Sequence, residues 1–497
     1  MSLTEVATSL EKSAENAIKK EIIRKNKVLI DSIRRCNTSD KTLLAKVSNI
    51  SWPTINNFLS SYTNKNEIGH DLISSVMDKY VVNPSYATYL GIAVGARETK
   101  VTLIGMSFDK PTEEMSTKYS LETFFKKLKE ISKLTVKPSS QKNMVCFETK
   151  NELWYLSHMC NEIIKVALDF FSQSHSLNLL GIGITFPGII DKKDLRVSFC
   201  PNISCLNGVY LLNVLYDEVL EDLNKKSVSL CIAHDTLAIT VYEKENLYKR
   251  SDSDKYKNRD NVVCLYLGVG LGLGVIINDQ LLTGNNNSVG EIGHIASPSI
   301  EELKPEKIFD LEKIQIDEEI KNYNYDYNNY KISDNIETEK RINVEDVERC
   351  HCRLDDCIER MIRINVFNST TIEQYIQKTQ VEYLVRFDEE HPYRYTVLKH
   401  YLKYLFNIII NLFNPDLLVL CGKLLNSINA LRSDKYALKQ STSIFYPASN
   451  CEIINGDDSP DCVAIGAAIL AYYKLVEGDG TNNTTGMQFN ISWNKIP

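Results

Sequence analysis

Three thiols fall close together as Cys350-x-Cys352-x4-Cys357. Soft thiolates at this spacing can reach one metal ion, and zinc would complete its tetrahedron with one more sulfur or nitrogen. Two histidines could supply that ligand. His351 sits between ligand positions, where its geometry is cramped, so His294 is favoured. The alternative is that the cysteines pack as small apolar side chains, which fits poorly with the polar Arg353-Leu354-Asp355-Asp356 between them. A structural zinc site is therefore expected.

Further groups could act beside it. Asp235 closes the apolar run SVSLCIAHD and precedes the helical pattern TLAITVYEKE. A carboxylate there can act as general base on a hydroxyl or simply cap the helix. Glu291 opens Glu-Ile-Gly-His after a Gly/Asn loop, and Glu359 follows Cys357 by two residues. If a zinc scaffold gathers these carboxylates near Asp235, the cluster suits a hydroxyl-rich ligand. Gly268, Gly270, Gly272 and Gly274 alternate after an apolar run, so backbone amides there could approach a phosphate, or the segment could be a tight hairpin.

The elements that must hold these residues divide the chain. At 497 residues and 56.6 kDa it exceeds one ordinary core, so two or three folding units are expected. Hydrophobic residues at 43%, charged residues at 24% and a mean hydropathy of -0.22 describe a globular chain, neither disordered nor membrane-embedded. The N-terminus lacks a signal-like apolar run, and the apolar stretch 406–413 is too short to span a bilayer. A cytoplasmic protein is expected, whose 13 cysteines are thiols or metal ligands rather than disulfides.

The net charge of -7 is unevenly spread, because residues 1–70 hold 11 Lys and Arg against 7 Asp and Glu. That basic head has helical periodicity through Val28, Leu29 and Ile33, then Leu43, Leu44 and Val47. A third helix is capped by Ser51, with Pro53 in its first turn. The short turn Ser48-Asn49-Ile50 makes the last two helices cross sharply, as in a helix-turn-helix. A small β wing could occupy 65–84, before a linker at Pro84. From Tyr89 the pattern is α/β: a hairpin through YLGIAV and KVTLIGMSF, a helix at about 151–173, and the buried strands LLGIGITFPGII, SVSLCIAHD, NVVCLYLGVG, LGLGVII and LLVLCG. A helix lies at 397–413. Residues 301–349 hold 15 acidic and 8 basic residues and read as a surface insertion.

Together these segments resemble the ROK family of bacterial sugar kinases and sugar-responsive repressors. The resemblance covers about Tyr89 to Leu475. It rests on GIGITFPGIID, FCPNISCLNGV, EIGH with C-x-C-x4-C, NLFNPDLLVLCGKL and GDDSPDCVAIGAAIL, and the head SDKTLLAKVSNISWPTINNFL is similar to that of the repressor branch. It implies an α/β fold: an N-terminal winged helix-turn-helix (1–84), then a two-lobed, actin-like, ribonuclease-H-like ATPase domain. The first lobe is expected over 85–205, completed by about 460–477. The second is expected over 206–459, carrying the zinc motif and the insertion 300–349, with a mobile tail at 478–497. The resemblance further implies sugar contacts from His234, Asp235, Glu291, His294 and Glu359, and zinc held by His294, Cys350, Cys352 and Cys357. His234 stands where the family has Asn, and Leu206 where it has Trp.

Kinases of this family carry an aspartate and Gly-Gly-Thr in the first phosphate hairpin, for the metal and the β and γ phosphates. Here the hairpin reads Gly91-Ile92-Ala93-Val94-Gly95-Ala96-Arg97-Glu98. The second loop has Val269 where a hydroxyl is usual, and the adenosine-side pair is Cys421-Gly422. Gly95, Gly268, Gly270, Gly272 and Gly422 are thus remnants of a nucleotide site, and ATP with magnesium is not expected to be a cofactor. The expected function is a sugar-responsive repressor that binds operator DNA as a homodimer or higher oligomer. In this reading a sugar alters the lobe angle and moves the DNA-binding heads. Thr54, Asn56 and Asn57 would face the groove beside Ser51, and Lys41, Lys46, Lys65 and Arg34 or Arg35 would meet phosphates. The alternative is an ATP-dependent sugar kinase with Asp235 as catalytic base.

Overall fold

A computed structural model describes residues 3–36, 38, 40–62, 72–76, 79–139, 141–174, 177–191, 193–250, 255–256, 259–268, 270–284, 287–298, 350, 352, 354, 356–362, 392–422, 431, 450–457, 459 and 461–477. The insertion 300–349, the tail 478–497, Lys65, Val269 and His351 lie outside the described residues.

The head begins with α1 (Leu3–Lys25) and α2 (Lys27–Cys36). Then come α3 (Lys41–Ser48), whose first turn is capped by the Asp40 carboxylate accepting from the Thr42 amide, and α4 (Trp52–Tyr62). Asn49 takes the left-handed conformation, φ 53°, and so ends α3 within one residue. Leu44, Val47, Ile55, Phe58 and Leu59 are buried and hold α3 against α4. A two-stranded antiparallel hairpin, β1 (Ile73–Val76) with β2 (Lys79–Val82), lies between α4 and the main body, with Ile73 opposite Val82.

The chain divides into two compact units: residues 1–264, 274–289 and 457–497, and residues 265–273 and 290–456. The first unit is built on a six-stranded sheet. Its strands are β3 (Thr88–Val94), β4 (Glu98–Gly105), β5 (Val136–Lys137), β6 (Met144–Glu148), β7 (Leu179–Phe186) and β10 (Ser229–His234), in the order β10-β7-β3-β4-β6-β5. β3 and β7 are buried at every position, as a sheet covered on both faces requires. A small hairpin, β8 (Ile189–Ile190) with β9 (Val197–Phe199), follows β7. The helices are α5 (Glu113–Lys118), α6 (Leu121–Lys129), α7 (Leu153–Gln173), α8 (Asp217–Lys225) and α9 (Asp235–Leu247).

The second sheet has the order β13-β12-β11-β14-β15, from β11 (Val262–Leu267), β12 (Leu271–Ile277), β13 (Gln280–Leu281), β14 (Leu417–Cys421) and β15 (Glu452–Asn455). Its order repeats that of the first sheet, a hairpin on one side of the first strand and two later strands on the other. The short α10 (Ile358–Ile362), α11 (Pro392–Phe413) and α12 (Cys462–Glu477) complete the described helices.

A lobe boundary between 205 and 206 does not match this division. β10 pairs in parallel with β7 from Ser229↔Gly181 to His234↔Phe186, and α9 packs on α12, so 206–264 belongs with the first unit. The α9–α12 contact is close enough that a Cβ on Gly466 would lie 2.0 Å from the Ala238 carbonyl oxygen. Gly466→Ala is therefore expected to destabilise by about 1–3 kcal/mol, the usual cost of overpacking, although alanine is the better helix former by about 1 kcal/mol. Denaturant unfolding measures the sign, and a stabilised variant would show that the two helices separate easily.

Candidate metal centre and the polar groups around it

Residues 295–297 run antiparallel to 356–358, which brings the two halves of the cysteine-histidine set together. Ala296 bridges Cys357, the Ser297 amide donates to the Asp356 carbonyl at 2.8 Å, and the Ile358 amide donates to Ile295 at 3.0 Å. A short 3-10 turn, Ile292–His294, precedes this pairing and aims His294 at the thiols. The ligand atoms of His294, Cys350, Cys352 and Cys357 all lie within 4.8 Å of one another, with His294 Nδ1 3.5 Å from Cys350 Sγ. Tetrahedral zinc with bonds of about 2.0–2.3 Å needs its ligands a little under 4 Å apart, so this set fits a metal ion after small closure. A dicationic ion here would act as a structural cross-link. Burial pushes the Cys357 and Cys350 thiols up, so metal binding must displace protons.

The other face of the His294 ring is also occupied. Nε2 stands 3.7 Å from Glu291 Oε2, beyond hydrogen-bond distance. Glu359, the second residue of α10 and two after Cys357, accepts through its Oε2 from the Leu271 amide at 2.8 Å. A Cβ on Gly270 would lie 3.2 Å from that same oxygen. Glu359 therefore ties the cysteine stretch to the glycine loop before β12. Gly272 lies inside β12, and Gly268 and Gly270 close the loop through a Gly268 amide bond to the Gly270 carbonyl at 3.0 Å. Gly422 adopts φ +96° at the end of β14.

In the first unit Asp235 is the first residue of α9, and its side chain is 40% exposed. The helix cap is His234, whose Nδ1 accepts from the Thr236 amide at 3.2 Å. With Nδ1 accepting, the ring proton sits on Nε2, which lies 3.2 Å from Asp235 Oδ1. The cap is thus the His234 side chain and not Asp235, and both ring nitrogens of His234 have partners within the chain. His234→Asn should keep the cap, because Asn is favoured there, and His234→Ala should lose about 1 kcal/mol. Thermal unfolding distinguishes the two, and equal losses would show that the ring is not the cap.

The β3–β4 hairpin has its own closure. Ala93 is buried beside Thr185, whose hydroxyl is also buried and has no hydrogen-bond partner among the described residues. Gly95 donates to the Glu98 carbonyl at 3.1 Å, Glu98 pairs with Lys100 at 3.0 Å, and Arg97 Nη1 is buried with no hydrogen-bond partner among the described residues. Leu206, in the place of the family tryptophan, is fully buried.

On the head, Ser51, Trp52, Thr54 and Asn57 are exposed, and Trp52, half-exposed, is a surface group the sequence reading passed over. Ser51 and Thr54 share a hydroxyl bond of 2.7 Å, and Lys41 donates to Asn56 at 2.6 Å while lying over the Trp52 ring at 5.6 Å. Lys46 is exposed. Arg34 and Arg35 do not match the expectation of phosphate contacts. Their side chains are only 5% and 3% exposed and pair with Glu245 of α9.

Residues 155–474 match the ROK family model. The chain belongs to the ROK family: an N-terminal helical head followed by a mixed α/β, actin-like ROK domain. It is similar to the xylose repressor of Bacillus subtilis, 32% identical over 117 residues, which is 24% of this chain and 26% of the relative. It is similar to the glucokinase of Thermotoga maritima, 32% identical over 114 residues, 23% of this chain and 32% of that one. It also resembles the dual regulator NagC of Escherichia coli, 26% identical over 140 residues, 28% and 30% of the two chains. The matches thus span about a quarter to a third of those relatives' length. Among solved structures, a ROK transcriptional regulator described as a homologue of the E. coli MLC protein aligns over 92% of this chain and 100% of its own, at 15% identity and a TM-score of 0.48. No helix among the described residues is long and apolar enough to cross a membrane.

Proposed function

We propose that this protein is a sugar-responsive, DNA-binding transcriptional regulator of the repressor type. The observation that carries the reading is α4, which buries Ile55, Phe58 and Leu59 and leaves Ser51, Trp52, Thr54 and Asn57 exposed at its amino-terminal half. That is the end a recognition helix presents to the major groove. Two further features support it. Ala93 stands, buried, where a kinase needs a carboxylate, while Asp235 remains exposed at a helix start. The match to xylose repressor and NagC accords with the same reading, and the match to a glucokinase leaves a kinase as the alternative.

In this reading zinc held by His294, Cys350, Cys352 and Cys357 is structural. Glu291, Glu359 and Asp235 take hydroxyls of a sugar or sugar derivative, and His234 fixes Asp235 for that task. The protein acts as a homodimer or higher oligomer on operator DNA in the cytoplasm.

Selection of genomic fragments by the zinc-loaded protein, repeated across salt and against scrambled duplex, tests this. A selected sequence with a clear specificity ratio is expected. Asn57→Ala should then cost about 1–3 kcal/mol and relax discrimination at one position. Lys46→Ala should weaken binding to all sequences and reduce the salt slope by about 1. Binding that is weak and erased by salt, together with sugar-dependent ADP release that Asp235→Asn abolishes, would replace the regulator with a kinase.

A further inference from the structure

Helix α9 carries an unusual set of charges. Glu243, Lys244 and Glu245 are consecutive and only 1–2% exposed. Side chains on consecutive helical positions point about 100° apart, and each of these three is held by a different element. Glu243 accepts from the Asp457 amide at 3.0 Å, ahead of α12. Lys244 reaches Asp279 at 2.9 Å and the Arg259 carbonyl, on either side of the β11–β12 hairpin. Glu245 takes Arg34, and Arg35 at 3.0 Å, from α2 of the head, and the Tyr473 hydroxyl from α12.

Closer to its start, α9 touches backbone and side chains at contact distance. Gly466 leaves no room beside Ala238, and a Cβ on Gly274 would lie 1.6 Å from Thr240 Oγ1. A helix pinned around its circumference in this way neither rotates nor bends cheaply; it moves as one body. Its two ends lie about 15 Å apart, ten residues at 1.5 Å each. One end is Asp235 with its His234 cap and the other is the grip on α2.

The head has other holds on the rest of the first unit, but they reach different elements. Asn16 and Lys19 of α1 bond to Leu179, Lys226, Tyr86 and Asn178. The α2 contact is the described one that shares a helix with Asp235.

The geometry points to α9 as the rigid link that carries a ligand-driven displacement of Asp235 to the DNA-binding head, with Glu245, Arg34, Arg35 and Tyr473 as the joint. This rests on the regulator reading above. Arg34 stacks on Phe108 at 3.7 Å and Arg35 on Tyr248 at 5.0 Å. The Tyr472 hydroxyl meets Asp31 at 2.9 Å. The joint is thus oriented on several sides, as a connection that transmits direction must be.

The test is amide hydrogen exchange of the full zinc-loaded chain with and without D-xylose, D-glucose or N-acetyl-D-glucosamine. Expected is a change at residues 235–238 with one of these sugars and a matching change at residues 28–35. In Tyr473→Phe, which removes one hydroxyl from the joint and keeps the ring, the first change should persist and the second should fall to half or less. Glu245→Gln should do the same more completely, and the tyrosine variant covers the case in which Glu245→Gln does not fold. A response at 235–238 with none at 28–35, or a full response at 28–35 in both variants, overturns the link and leaves the sensor intact. Silence at 235–238 with all three sugars removes the sensor reading itself, and the link with it.

Discussion

Removing the metal is expected to unfold the cysteine-bearing segment while the first unit stays folded. Three thiols and an imidazole within 4.8 Å form a set that a bound cation would hold far more firmly than weak thiol hydrogen bonds can. Structural zinc contributes about 10–16 kcal/mol in small zinc-binding peptides at neutral pH. A large share of that should appear here as lost protection at residues 292–298 and 356–362 after chelation. The loss should extend through Glu359 to the Leu271 amide, because that hydrogen bond depends on where Cys357 is held. One zinc per chain by elemental analysis, absent in Cys352→Ser, is the expected result. The sign with pH follows from the thiols. Burial pushes Cys357 and Cys350 up, so protons compete with the metal, and affinity falls as pH drops, about tenfold per unit for each proton displaced. A protein purified without stoichiometric metal, or a Cys352→Ser variant with unchanged metal content, would contradict the site.

The second large effect belongs to the joint between head and body. Glu245→Gln leaves Arg34 and Arg35 buried with one carboxylate, Asp31, between them. Breaking a buried pair from one side costs about 3–5 kcal/mol, and denaturant unfolding should show it. Acid titration gives a second reading. Burial alone would raise Asp31, but Lys27, Arg35 and Arg34 outweigh it and hold the carboxyl at about 2. Burial likewise opposes ionisation of Glu245, and Arg34 and Arg35 win, holding it well below the usual carboxylate range. Both folded values are depressed, so their contribution is fully present above the ordinary carboxylate value of about 4. It fades as pH falls toward about 2. The wild type should show a steep loss of stability in that window and Glu245→Gln a shallower one. Identical acid limbs would mean that the pair does not hold the head.

A buried ion network of this kind is weak evidence for net stability, because apolar residues of equal volume often do as well. Its use is orientation. Apolar surfaces tolerate sliding, whereas an arginine pair between two carboxylates and a tyrosine hydroxyl accepts one arrangement. This agrees with a head whose angle, rather than mere attachment, matters.

Much of the site was legible in the chain because its signals are local. The cysteine spacing, the turn at Asn49 between two short helices and the strand patterns from Tyr89 onward each lie within a few residues. What could not be read was held by distant partners. Glu243, Lys244 and Glu245 look like the solvated end of a helix, and Arg34 and Arg35 look like a basic face, until α9 and α2 meet across 210 positions. Capping by Asp235 was one of its two readings, because capping favours Asp. The imidazole one residue earlier sits at the N-cap position itself and reaches the Thr236 amide. The grouping of 206–264 with the first unit has a similar origin, since the pairing of β10 with β7 joins segments far apart in sequence.

The antiparallel clasp between residues 295–297 and 356–358 also bears on how much chain can lie between its two strands. Once the two ends of an excursion are stapled together by backbone bonds and by ligands on either side, doubling the intervening length costs only about 0.6 kcal/mol of closure entropy. The clasp therefore keeps His294 and the three thiols together whatever length of chain separates them. That makes the interval a place where length can be changed at little cost in closure entropy. An engineer could equally use it as a socket for a second folded domain, such as a fluorescent reporter, whose termini lie close together.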